Sequence, residues 1–156
     1  MSIASTPPDL RERAGDPAGR NRPTHPSANC SQTVRWLWAF GWLGLTGAVW
    51  VLVATSPATG ALAALAVLVF IAPDLSFLAA LGAPLEQGRL PARAVRPYNL
   101  MHRPMSALTV AVALGIVAAL GWLDPVVVGV VTGSWLAHIA MDRAAGYGLR
   151  NPDGSR

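Results

Sequence analysis

Between Arg35 and Asp74 the chain carries no charged side chain. One crossing of a bilayer core takes about 20 apolar residues, so this stretch is long enough for two. Charge is also absent from Pro104 to Leu123 and from Pro125 to Met141. A soluble fold rarely tolerates such runs, because part of every surface element must face water. The composition agrees: 53% of residues are hydrophobic and 13% are charged, against about 25% charged in an ordinary soluble domain. The 156 residues leave room for one domain. These features exclude a wholly disordered chain and argue against a small soluble enzyme. They predict an all-α fold, a four-helix transmembrane bundle preceded by a polar tail.

Residues 1–32 hold Pro7, Pro8, Pro17, Pro23 and Pro26 among Ser, Thr, Asp and Arg. Few large apolar residues are present to offset the entropy of ordering, which predicts a disordered cytoplasmic tail that includes His25. The transmembrane domain then covers 33–150, and 151–156 form a short polar tail. Within the domain the apolar pattern predicts helices over 34–54, 58–82, 98–120 and 126–145. Pro73 should kink the second of these just before Asp74, because proline removes a backbone hydrogen bond. Residues 83–97, punctuated by Pro84, Pro91 and Pro97, read as a polar loop. Gly41, Gly44 and Gly47 thin one side of the first helix, and Gly129 and Gly133 thin the last. Either stripe suits close helix contact within one chain or between chains. Trp36, Trp38, Trp50 and Trp122 read as interfacial anchors.

The net charge is +4, with twelve arginines and no lysine. The arginines flank apolar runs instead of forming a basic face with interleaved aromatics, so nucleic acid is not an expected partner. With four spans, the amino-terminal tail, the 83–97 loop and the carboxyl-terminal tail share one side, and that side holds every Arg. The positive-inside rule predicts a cell (inner) membrane protein with both termini cytoplasmic. A reporter fused after Ser56 should be extracytoplasmic; a cytoplasmic signal there would overturn the topology. Cys30 is the only cysteine and reads as a free thiol, since an intrachain disulfide needs two.

Depth and spacing bring polar groups to one level. Asp74 sits low on the second helix, Asn99 and His102 lie in the first turns of the third, and His138 and Asp142 lie in the last turns of the fourth. His138 and Asp142 are i and i+4, and Asn99 and His102 are i and i+3, so each pair shares a helix face. Ser134 extends the His138 line. Ionisable groups within spans are costly and face the bundle interior. One compensation is a divalent metal such as zinc, iron or manganese, held by Asp74, His102, His138 and Asp142 as N and O donors. Asn99 would then orient water or substrate, and Arg143 would attract a phosphate. The site would open toward the cytoplasmic head-group region and suit hydrolysis of a lipid or another amphiphile. A second reading is structural: Asp74 pairs with Arg103 or Arg143, His138 bonds Asp142, and the chain is a non-enzymatic membrane scaffold or partner subunit. A third is an ion or proton path. Tyr98 and Tyr147 flank the same level, and Trp135, deeper in the last helix, reads as packing over the polar cluster. Protein partners and oligomeric state are not specified by these patterns.

Three segments, APDLSFLAALG at 72–82, YNLMH at 98–102 and WLAHIAMDRAAGYGL at 135–149, resemble the bacterial integral membrane family called domain of unknown function 4260. The resemblance covers roughly residues 36–152. It implies a small helical membrane protein and brings no activity with it. Carried over residue by residue, its polar positions are Asp74, Asn99, His102, His138, Asp142, Arg143 and Tyr147. The arrangement of His and Asp at one membrane level is also similar to that of membrane-bound metal-dependent hydrolases, which is an analogy between sites.

Overall fold

A computed structural model describes residues 27–84 and 86–156, with side chains from residue 32 onward. The described residues are all helical or irregular, with no strand. In order they form α1 (Ser27–Thr55), α2 (Thr59–Ile71), a 3₁₀ helix (Ala72–Ala80), α3 (Ala92–Met101), α4 (Pro104–Ala119) and α5 (Pro125–Ala145). Gln32–Thr55, Thr59–Ala80 and Pro125–Ala145 are each long and apolar enough to cross a membrane. The α3–α4 pair passes the same test as one broken span, bent by 50°. The count is therefore three to four candidate spans.

Several boundaries differ from the sequence expectation, each for a local reason. The tail expected over 1–32, His25 included, lies outside the described residues up to Pro26. From Ser27 the backbone is helical, past the last of the prolines. The Cys30 side chain lies outside the described residues as well. The helix expected over 58–82 is two elements. Pro73 offers no N–H to an α-helical bond, and the chain tightens there into nine residues of 3₁₀ helix ending at Ala80. The loop expected over 83–97 ends early, because Ala92 opens α3 behind Pro91. The helix expected over 98–120 breaks at His102–Arg103, where Pro104 starts a new helix as a first-turn proline. The 126–145 expectation corresponds to α5. Asp124 caps its start by accepting from the Val126 N–H at 2.8 Å. Gly146, at φ 88°, ends it, with Tyr147 N donating to Asp142 O and Gly146 N to Arg143 O.

The α1–α5 seam organises the bundle. Val49, Val53, Leu62, Ala66 and Val130 form its buried apolar cluster, joining α1, α2 and α5. A Cβ on Gly133 would stand 2.6 Å from Val49 Cγ2, and one on Gly129 would stand 2.8 Å from Leu52 Cδ1. Those two glycines let the backbones approach. Around Gly41, Gly44 and Gly47 no described residue lies within 4 Å of an added Cβ, so that stripe faces away from the rest of the described residues. At the end of the seam, Arg35 Nε donates to Ala144 O at 3.0 Å, placing a cation on the carbonyl end of α5. Leu68, Leu78, Met105, Val112 and Ile116 are all exposed, an outward apolar surface suited to acyl chains.

The 3₁₀ helix and α3 pack on each other through a second buried cluster, Leu90, Ala94, Val95 and Tyr98, with Ala79 and Ala80 against it. A 3₁₀ helix aligns residues three apart, so Asp74, Phe77 and Ala80 share one edge. That edge runs along α3: the Phe77 ring lies 5.4 Å from the Tyr98 ring, and Asp74 reaches His102, one turn further on.

Candidate metal centre

His102 and His138 are among the most buried side chains, each residue 1% exposed. Their Nε2 atoms approach to 3.3 Å. Asp74 Oδ1 lies 3.6 Å from His138 Nε2 and 3.9 Å from His102 Nε2. Asp142 Oδ2 lies 3.3 Å from His102 Nε2 and 3.8 Å from His138 Nε2. The structure thus brings together Asp74 from the 3₁₀ helix, His102 from the α3–α4 break, and His138 and Asp142 from α5. Within this cluster Asp74, His102 and His138 form a group whose donor atoms all lie within 4.8 Å of one another. Tetrahedral zinc with bonds of about 2.0–2.1 Å holds its ligand atoms roughly 3.3–3.4 Å apart, near the shorter of the distances seen here. The two-imidazole, one-carboxylate set also occurs in catalytic zinc sites.

The tautomer of His102 follows from its other nitrogen. Nδ1 lies 2.8 Å from the Tyr98 carbonyl, an acceptor only, so Nδ1 carries a proton, and the neutral ring would offer the Nε2 lone pair to a metal. A carbonyl behind a ligating imidazole is the usual second support of a metal-binding histidine. The Tyr98 ring stacks on His102 at 4.0 Å and 22°, and Phe70 meets His138 edge-on at 5.3 Å. The rings are walled by aromatic groups, while the Asp74 side chain is 49% exposed and leaves the cluster open on its own side.

The break before Pro104 deprives carbonyls of helical donors, and α5 supplies replacements. Trp135 Nε1 donates to Met101 O at 2.8 Å. Arg143 Nη2 donates to His102 O at 3.1 Å, and its Nη1 donates to Tyr147 O at 3.0 Å. Sequence reasoning had Trp135 packing over the cluster and Arg143 attracting a phosphate. In the structure both hold the backbone that carries His102. Neither Arg103 nor Arg143 pairs with Asp74 among the described residues.

Asn99 stands apart from the donor group. Its Nδ2 donates to Arg150 O and its Oδ1 accepts from Arg150 N, both at 2.8 Å. The side-chain amide therefore works as a two-point clamp on the carboxyl-terminal segment. Tyr98 OH donates to Gly148 O at 3.2 Å, Arg150 Nη1 to Gly88 O at 3.2 Å, and Leu90 N to Gly154 O at 3.0 Å. Gly154 sits at φ 81°, and a Cβ there would fall 1.9 Å from Leu90 O, so this close crossing requires glycine. The turn that ends the strap is fastened by the Ser155 hydroxyl and N–H on Asp153, which hold that carboxyl below its usual range. The signal for this strap was present as the turn sequence Asn151-Pro152-Asp153-Gly154. Its docking place on Asn99 had no local signal.

Fold and site together define a class: a small all-helical protein with three to four candidate membrane spans and a histidine–carboxylate group spaced for a metal ion. A family model described as "Domain of unknown function (DUF4260)" matches residues 41–156, and the chain belongs to that family. No curated protein and no solved structure matches the chain.

Proposed function

We propose that this chain is an integral membrane protein that binds a divalent metal at Asp74, His102 and His138 and hydrolyses an amphiphile at the membrane surface. The observation that carries the reading is the convergence of two buried imidazole Nε2 atoms and two carboxylate oxygens, to which no arginine is paired among the described residues. Burying such donors is costly unless something bridges them, and a divalent ion does so with N and O donors of this kind. A bound metal would lower the pKa of a coordinated water and polarise the bond to be cleaved. Asp142 was read from the sequence as a fourth ligand. It lies outside the three-residue group, and its carboxylate beside His102 suits it to accept a proton from water. The half-exposed Asp74 side faces the approach of the substrate. The distribution of Arg supports a cytoplasmic location for this end of the bundle and for both termini.

The structural reading has support of its own. Asn99, Trp135 and Arg143 all bond backbone groups. A scaffold would use the His–Asp contacts in the same way.

Metal analysis separates the two. Wild-type protein purified in lipid at neutral pH is expected to hold about one divalent ion per chain, and a His138→Ala, Asp142→Ala variant that still folds is expected to hold about a tenth or less. An ion-free wild type together with a lower-melting variant would establish the scaffold reading instead.

A further inference from the structure

The two sides of α3 differ in charge. Ala94, Val95 and Tyr98, with His102 at the end of the helix, turn inward and are buried. Arg93, Arg96 and Leu100, spaced three and four apart, lie on the opposite side and are exposed. Arg103, three residues further on, is exposed as well. Arg93 donates to Leu81 O. Among the described residues the guanidinium groups of Arg96 and Arg103 have neither an ion pair nor a hydrogen bond. The carboxylates of neighbouring elements are engaged elsewhere. Glu86 lies 3.3 Å from Arg89 Nη1 and Asp153 lies 3.9 Å from its Nη2, while Asp74 and Asp142 belong to the metal centre.

Depth says what meets these two cations. α4 starts at Pro104, directly after Arg103, and its 16 residues rise about 24 Å. A hydrocarbon core is about 30 Å thick, so residues at the ends of α4 stand near its boundaries. Met105, Leu108, Val112 and Ile116 make an exposed apolar stripe along α4, and Arg103 stands at the end of that stripe. The 50° bend turns α3 off the α4 axis, so its charged face need not follow α4 into the core. We infer that this face binds the head groups of anionic phospholipids, with the Arg96 and Arg103 guanidinium groups on phosphate oxygens and Leu100 and Met105 against the first acyl carbons. The guanidinium fork matches a phosphate. Leu100 is 61% exposed and Met105 68%, which supplies an apolar contact beside each cation. An acidic protein patch would answer the arginines alone, whereas a lipid answers both the arginines and the apolar stripe that continues from them. The inference rests on the membrane placement in the proposed function and is independent of metal binding and hydrolysis.

The test is native mass spectrometry of the full-length protein released from detergent micelles. It is titrated with phosphatidylglycerol or with phosphatidylcholine of the same acyl chains. Wild type is expected to bind its first phosphatidylglycerol at least about fivefold more tightly than phosphatidylcholine, the usual gain from one basic residue at a membrane surface. Arg96→Gln and Arg103→Gln should each weaken phosphatidylglycerol binding by about fivefold and leave phosphatidylcholine unchanged. Arg89→Gln removes the same charge, but that side chain already faces two carboxylates, so its effect should stay within about twofold. Both arginines point outward, so the variants should melt with wild type; if Arg103→Gln melts lower, Arg96→Gln, clear of the α3–α4 break, decides the matter. Equal binding of the two lipids by wild type would overturn the inference and leave the face to an acidic protein partner. An Arg89→Gln loss as large as that of Arg96→Gln would overturn it too, because net charge and not this face would then select the lipid. Metal content is measured on the same samples. Lipid preference without metal would sink the hydrolase reading alone, and metal without lipid preference would sink the lipid inference alone. A chain that stays monodisperse in water without detergent would remove the membrane placement and both readings with it.

Discussion

Replacing His102 by alanine is expected to lower metal affinity by about a hundredfold or more, beyond the 10–100-fold that loss of an outer-shell partner typically costs. His102 Nε2 sits at the centre of the cluster, 3.3 Å from both His138 Nε2 and Asp142 Oδ2. Its removal leaves two donors of the three-residue group. Two neighbouring substitutions sharpen the result. Tyr98→Phe keeps the ring stacked on His102 and keeps the backbone carbonyl that fixes its tautomer, losing only the hydroxyl bond to Gly148. Asn99→Ala releases the Arg150 backbone and touches no donor. Both variants should bind metal within about threefold of wild type, as expected for residues outside the donor set and its immediate supports. Titration with zinc in the presence of a competing chelator measures all three. An Asn99→Ala loss as large as that of His102→Ala would return Asn99 to the site itself.

Gly133→Val is expected to destabilise the bundle by about 1–3 kcal/mol, the usual cost of forcing extra carbon atoms into a packed seam. The first added carbon already meets Val49 Cγ2 at 2.6 Å, and a β-branched neighbour has little freedom to move aside. Gly129→Ala should cost less, because the atom it meets is the far end of Leu52, which can rotate away. Gly41→Ala should be close to neutral, since no described residue lies within 4 Å of the added atom. Thermal melts of the three variants in one detergent give the ranking. A Gly41→Ala variant as unstable as Gly133→Val would show that the first stripe is packed after all, against another copy or another protein.

The same glycines show how far the sequence could be read. Gly41, Gly44 and Gly47 and the Gly129–Gly133 pair are equivalent patterns in one dimension. Only the α1–α5 contact distinguishes them, because close approach depends on which faces meet. Asp74, His102, His138 and Asp142 were readable as a convergent set, because helix period and membrane depth alone bring them to one face and one level. Asn99 shares that level and a helix face with His102. Its amide was nevertheless taken by a backbone segment about fifty residues along, which no periodicity encodes. Arg143, next to Asp142, reads from the sequence as a charge that attracts a phosphate or pairs with Asp74. It was drawn inward by carbonyls that the Pro104 break exposed.

Charge-free runs determined that this chain is helical and carries apolar segments long enough to cross a membrane, three to four of them in the structure, because a bilayer-length apolar segment leaves the backbone few ways to satisfy its own hydrogen bonds. The prolines marked where helices would bend or break. The kind of break was decided by packing: a long 3₁₀ helix after Pro73 lies against α3, and a sharp bend at Pro104 is held by donors from α5. Tertiary structure also chose which polar side chains face one another and which are spent on the backbone. Those choices depend on distances between segments far apart in the chain, and local sequence carries no record of them.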